Sequence, residues 1–279
     1  MSTAVDDPDV HEGHALTTDD DDADLAVAGS SLFSDRPQNL GLWLAPVGIA
    51  LLAGLLYRYY QGLDLANATI QQRSALDWDV KLVPQIQEHL SIAFWSTVVV
   101  ILVAVPLGIA LTRPRLRRAA PFVLAIANSG QAVPAYGLLI LFLSWLGQGS
   151  RTVIWALVLY ALLPVLRNTM VGLDNVDRSI IEAGRGMGMT KTRALLRIEL
   201  PLAVPVIIAG VRVAMIINIG MATLAYLIGG GGLGVTIASG LKLQQDPVLI
   251  VGGSLVAIIA LGFDWIGAVA ERYLRPRGL

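Results

Sequence analysis

The stretch Glu182-Ala183-Gly184-Arg185-Gly186-Met187-Gly188, followed after nine further residues by Ile198-Glu199-Leu200-Pro201, is a polar, glycine-bearing insert between two long apolar segments. Ser179 to Ala183 begins a short helix, and Asp177 or Ser179 offers the side-chain oxygen that caps its unpaired N–H groups. Gly184, Gly186 and Gly188 lower helix propensity and permit a turn. Thr190 is placed to cap a second helix, Lys191 to Leu200, which Pro201 is expected to interrupt because it has no N–H and its ring crowds the preceding turn. Short helix, glycine turn, second helix and proline make a compact hairpin over about residues 174–201. Its apolar residues, Ile180, Ile181, Met187, Met189, Leu195 and Leu196, exceed what a solvated loop needs. Two readings are open at this point: the hairpin packs on its own chain, or it docks a soluble partner.

The chain on either side belongs in a bilayer. Of 279 residues, 55% are hydrophobic and 15% charged, well below the roughly 25% charged of soluble domains. A spanning helix needs about 20 mostly apolar residues, and such segments fall near 40–60, 90–111, 120–146, 152–172, 203–228 and 248–270. Backbone groups at that depth must pair within the segment, so the spans are helices; the alternation of barrel strands is missing. The expected class is all-α and polytopic, with about six transmembrane helices. A broken or re-entrant span would lower that number.

Charge sets the orientation. Residues 1–36 carry ten acids against one base, Arg36, and the other 243 residues carry 19 bases against 11 acids. The first 36 residues lack the basic start and apolar core of a signal peptide and read as an acidic, disordered tail; residues 37–279 form the membrane domain. His11 and His14 in the tail also permit a metal-binding or regulatory reading. Thirteen bases lie on one side of the spans: Arg113, Arg115, Arg117 and Arg118; Arg167, Arg178, Arg185, Lys191, Arg193 and Arg197; and Arg272, Arg275 and Arg277. The opposite loops contribute four, Arg73, Lys81, Arg151 and Lys242. By the bias of Lys and Arg toward cytoplasmic loops, both termini and the hairpin are expected in the cytoplasm, and the loop at 61–89 outside. The absence of cysteine excludes disulfides and thiolate chemistry.

On these residues the chain resembles the membrane subunits of ATP-binding-cassette importers. Their pattern is Glu-Ala-Ala, three residues, Gly, nine residues, Ile-x-Leu-Pro, and it is met here by Glu182, Ala183, Gly184, Gly188, Ile198, Leu200 and Pro201, with Gly184 where Ala is usual. The resemblance covers about residues 85–270. It implies a type I, MetI-like permease fold of the bacterial plasma membrane, whose hairpin is the coupling helix that seats on a cytoplasmic ATPase. It also implies an extracytoplasmic substrate-binding protein and a second permease, identical or a sister chain. A second resemblance narrows the branch. Ile217-Asn218-Ile219-Gly220-Met221-Ala222-Thr223-Leu224-Ala225, the run Ile228 to Gly234, and Asn128 to Gly137 are similar to permeases for glycine betaine, choline and carnitine. The expected cargo is a small osmoprotectant, of those kinds or of the proline betaine type.

No catalytic group is expected. Gly188-Met189-Thr190-Lys191-Thr192 misses the phosphate-binding loop pattern. Gly229, Gly231 and Gly234 fit Gly-x-Gly-x-x-Gly but close a hydrophobic helix, where dinucleotide binding needs a strand before and a helix after. His11, His14 and His89 have no metal spacing, no nucleophile–base–acid set can be assembled, and no nucleic-acid partner is indicated. ATP and Mg are expected on the partner ATPase. Asn128, Gln131, Tyr136, Asn218, Thr223 and Tyr226 are polar residues within apolar spans. They are candidates for a translocation path, and each is equally explained by a helix–helix hydrogen bond. Arg212 reads as snorkelling to the cytoplasmic surface, with a gating role as the alternative. Asp264 either pairs with a base or faces the bundle interior. Cargo of another kind, such as methionine, and a stand-alone channel or secondary carrier are the alternative functions.

Overall fold

The computed structural model describes residues 40–274; the acidic tail, His11, His14, Arg275 and Arg277 lie outside them. Contacts divide the chain at Trp43/Leu44, and the architecture below is that of the larger unit. Among the described residues the regular elements are helical: α1 (Leu40–Gln61), α2 (Ile70–Ala75), α3 (Val83–Leu111), α4 (Ala120–Ala132), α5 (Ala135–Leu146), α6 (Ser150–Asp174), α7 (Arg178–Gly186), α8 (Lys191–Ala194), α9 (Leu200–Met221), α10 (Gly234–Lys242) and α11 (Asp246–Tyr273). Among the described residues, five helical runs are long and apolar enough to cross a membrane, and a sixth is added if the bent pair α4–α5 counts as one.

The centre is built by α3, α6 and α9, packed on one another, with α11 against α9 and α10. Val100, Ala104, Ala161, Val165, Leu166 and Ala214 are fully buried where these helices meet. Side chains there are small, so backbones approach closely. A Cβ on Gly108 would stand 2.8 Å from Thr169 Cβ, and one on Gly210 would stand 2.7 Å from Asn168 Cβ. In a bilayer such fit, together with interhelical hydrogen bonds, holds helices together, because lipid is as apolar as leucine. The periphery is apolar as well: Leu51, Phe94, Leu102, Phe122 and Trp145 are all exposed, as helices facing lipid require. From Leu44 on, α1 has no buried residue, and near its end Leu56, Tyr59 and Tyr60 pack on the cluster around Leu76 and Leu82.

Three of the expected segments differ in extent. The second span does not start near 90. Helical structure starts at Trp78 with a π-helical turn, Trp78–Leu82, that runs into α3. Asp77 caps it, accepting from the Val80 N–H at 2.8 Å. Gln85, Gln87, Glu88 and His89 depress the hydropathy there, yet Gln85 and His89 are buried, so the segment is read as loop although it is packed helix. The third span is broken: α4 and α5 meet at a bend of 101°. Pro134 drives Val133 out of the helical region (φ −74°, ψ 131°), which ends α4. The fifth span does not start at 203. It is continuous with the second helix of the hairpin from Lys191 to Ile228, 38 residues.

That continuity corrects the reading of Pro201. The proline does not interrupt the helix. Residues Leu195–Glu199 form a π-helical turn in which the Leu200 N–H bonds to the Leu195 carbonyl, and Pro201 occupies the first turn of α9. A π turn inserts one extra residue into the winding, so the ring follows a widened turn and its missing N–H breaks no run of regular α pairing.

Candidate functional site

The hairpin is fixed at both caps and at its turn. Asp177 Oδ1 accepts from the Ser179 N–H at 2.8 Å. The Ser179 backbone N–H, and after it the Ser179 hydroxyl, favour the charged carboxylate and hold its pKa below the usual range. Thr190 Oγ1 accepts from the Arg193 N–H at 3.3 Å and caps α8. Between them the chain reverses at Gly188, whose φ of +89° disfavours any side chain. Its N–H bonds to the Arg185 carbonyl at 2.9 Å, and the Met189 N–H reaches back to the Gly184 carbonyl at 3.2 Å, the paired bonds of a Schellman ending.

Gly184 has a separate role. It is buried, and a Cβ there would overlap Ile198 Cδ1 and lie 3.4 Å from Met189 Sδ. The short helix therefore lies directly on the π turn of the return helix. Glycine in place of alanine admits Ile198 here, a reason that the local pattern did not supply.

Beside the hairpin is a cleft of about 490 Å³ bounded by Thr112–Arg117, the end of α6 and the hairpin itself. Two ion pairs cross its walls. Arg113 Nη2 donates to Glu199 Oε2 at 2.6 Å, joining the end of α3 to the hairpin, and Arg117 meets Asp174 at 3.2 Å. Glu199 is 6% exposed, which makes the first pair the stronger structural tie, since a buried acid deprived of its base is left uncompensated. Sequence reasoning missed this pair; its one signal was an acid inside the otherwise apolar Ile198–Pro201. Glu182 and Ala183 are exposed; Glu182 also borders the cleft, and it has no ion pair among the described residues. Ile180, Met187 and Leu196 are also exposed, at 41%, 76% and 59%. The hairpin thus packs on its own chain through Gly184, Ile198 and Glu199, and it still presents exposed apolar residues among charges of both signs, Glu182 beside Arg178, Arg185 and Lys191.

The polar residues of the spans do not converge on one point. Asn218 is fully buried, donating from Nδ2 to Thr97 Oγ1 on α3 at 2.9 Å, while its Oδ1 has no partner. Gln131 donates to the Tyr160 carbonyl at 3.0 Å, and the Thr223 hydroxyl back-bonds to the Gly220 carbonyl at 2.7 Å. Tyr226 is half-buried. Asn128 and Tyr136 are exposed on either side of the α4–α5 bend. Arg212, which the sequence reads as snorkelling to the cytoplasmic surface, instead pairs within the bundle: it is bidentate to Asp264, the acid whose partner the sequence left open, Nε to Oδ1 at 2.5 Å and Nη2 to Oδ2 at 2.7 Å, with Glu271 at 3.7 Å. At the far end His89 is fully buried with Nε2 2.9 Å from the Ile219 carbonyl, where α9 passes into the 3-10 turn Ala222–Ile228.

Residues 104–277 match the family described as binding-protein-dependent transport system inner membrane component. Over 192 residues the chain is 44% identical to the choline transport system permease protein OpuBB of Bacillus subtilis, covering 69% of this chain and 88% of that protein. It is 42% identical over 190 residues to the osmoprotectant import permease protein OsmY of Salmonella typhimurium, covering 68% and 80%. The carnitine transport permease protein OpuCB of Listeria monocytogenes is 42% identical over 199 residues, covering 71% and 90%. Among solved structures, an inward-facing MetNI methionine ABC transporter superposes with a TM-score of 0.63 at 24% identity, over 69% of this chain and 95% of that one. The last likeness concerns the fold.

Proposed function

The chain belongs to the binding-protein-dependent transport inner membrane components and is a permease subunit of an ATP-binding-cassette importer; we propose that its cargo is an osmoprotectant of the glycine betaine, choline or carnitine type, moved by alternating access that a separate ATPase drives. The relatives named for choline, osmoprotectant and carnitine transport support the cargo. One structural observation carries the mechanism: the hairpin is continuous with a helical run of 38 residues. At 1.5 Å per residue that run is about 57 Å long, long enough to link a cytoplasmic docking face with the opposite membrane surface.

In this reading, ATP and Mg are held by two cytoplasmic ATPase subunits, and each seats the face formed by Glu182, Ala183, Ile180 and Met187. Nucleotide states that grip this face differently shift the balance between inward- and outward-open forms, because coupling exists only where binding discriminates between them. Gly184, Ile198 and Glu199 pass the displacement from α7 to the return helix, and the Arg113 pair passes it to α3. A loaded binding protein docks at the opposite end. A second permease, identical or a sister chain, completes the route, and Asn128 and Tyr136 at the α4–α5 bend are our first candidates for its lining. Both termini are cytoplasmic by the distribution of bases, and the acidic tail precedes the membrane domain.

The test is reconstitution of the assembly in proteoliposomes. Glu182→Arg, or Gly188→Val, is expected to abolish ATP-dependent uptake and co-purification of the ATPase while the spans still insert; normal transport by both variants overturns the assignment of the hairpin. Competition among glycine betaine, choline and methionine separates the proposed cargo from the amino-acid alternative. Uptake without any ATPase would favour a stand-alone carrier.

A further inference from the structure

We propose that the cavity at the end of the bundle remote from the hairpin is a cation site for the cargo, and that the Glu88 carboxylate is its recognition group. The proposal rests on the cargo assigned above. Choline, glycine betaine and carnitine all carry a trimethylammonium group, which has a permanent positive charge and no N–H to donate. A site for it needs negative charge and space, and no hydrogen-bond acceptor.

The cavity has a volume of about 450 Å³ and lies between α3, the start of α6 and the loop after Ile228. Glu88 is the one charged side chain of its lining, beside Gln87, Ser91 and Ser150, with Ile92 as an apolar wall. Arg151 is next to Ser150 in sequence but is outside this lining, and it forms no ion pair among the described residues. The cavity therefore carries an uncompensated negative charge.

The remaining wall is backbone. Gly229, Gly230 and Gly231 contribute no side chains, and Gly229 and Gly231 have φ of +74° and +78°. A Cβ on Gly231 would overlap Glu88 Oε2, so the glycine is what leaves room for the carboxylate. Oε2 accepts from the Gly232 N–H at 2.9 Å, which fixes the direction of the group. Oε1 has no hydrogen-bond partner among the described residues and is free to face a ligand. One oxygen positions the carboxylate and the other is available to a cation.

The site predicts a preference among cargoes. Choline is a net cation, whereas glycine betaine carries its own carboxylate, which Glu88 repels. With binding protein and cargo both saturating, the rate of import reports transfer through the permease rather than capture. Glu88→Gln keeps an acceptor for the Gly232 N–H and removes the charge; Glu88→Asp keeps the charge. The expected result is that Glu88→Gln lowers the ratio of choline to glycine betaine import rates about fivefold, the size of one charge–charge contact at a solvent-exposed carboxylate, and that Glu88→Asp retains most of the ratio. Co-purification with the ATPase checks that both variants are assembled. Equal loss of both rates would make Glu88 a clamp on the loop and overturn the cation site, as would an unchanged ratio. If the unaltered assembly imports neither cargo, the cargo reading itself fails, and the cation site fails with it.

Discussion

Gly184 shows how one atom decides a contact. Alanine is favoured over glycine in a helix by about 0.8–1.0 kcal/mol, so Gly184→Ala should stabilise α7 if helix propensity were the whole account. The new Cβ meets Ile198 Cδ1, and forcing that side chain off its rotamer costs about 0.5–1.5 kcal/mol. The two effects nearly cancel, and Gly184→Ala is expected to change thermal stability in detergent by less than about 1 kcal/mol. Adding Ile198→Val removes the overlap. The double variant should then be more stable than either single change implies, a non-additivity that neighbours in contact display. Strict additivity would show that Ile198 does not touch residue 184.

At the scale of elements, the helix that runs through the π turn Leu195–Glu199 sets how the hairpin is aimed. Each residue turns an α-helix by about 100°. Inserting one alanine between Leu202 and Ala203, in the regular α winding of α9, would rotate the hairpin by about that angle around the helix axis, whereas a π turn absorbs its extra residue with little change of phase. Helix content measured by circular dichroism should be nearly unchanged, while ATPase co-purification and uptake are lost. Persistence of uptake would mean that the hairpin reorients freely and that the helix does not act as a rod. The caps were legible from sequence: Asp177 and Thr190 occupy the expected positions, because capping depends on residues three apart at most. The continuity through Pro201 was not. A proline breaks regular α pairing, and whether a π turn absorbs the break depends on what the widened turn packs against, here α7.

For the molecule as a whole, Arg212 and Asp264 are 30% and 34% exposed in the single chain although each lies well inside its long helix. Ionised groups at that depth face protein or water rather than lipid. Removing Arg212 leaves Asp264 without its base, and removing Asp264 leaves Arg212 only the more distant Glu271, at 3.7 Å. Asp264→Leu alone is expected to cost about 2–4 kcal/mol, below the 3–5 kcal/mol of fully buried pairs because both groups keep some exposure. Arg212→Met with Asp264→Leu should recover most of that loss, since an apolar pair of similar volume carries no desolvation cost. Thermal unfolding of the purified chain in detergent measures both. Equal stability of the single and double variants would show that the pair does not hold α9 to α11.

Composition and local pattern were sufficient for the helical membrane class, the position of the hairpin and its family motif. Those depend on the length of apolar runs and on residues close together in the chain, where hydrophobicity and capping act directly. Tertiary structure decided the rest. Gln85 and His89 belong to a packed helix because Thr236 and the Ile219 carbonyl lie opposite them, partners more than a hundred residues away. Glu199 became the tie to α3 because Arg113 is brought to it across 86 positions. Glu88 became one wall of a cavity because glycines near 231 leave room beside it. A polar residue in an apolar helix states that it needs a partner; only packing determines which residue that partner is, and which polar atoms remain free for a ligand.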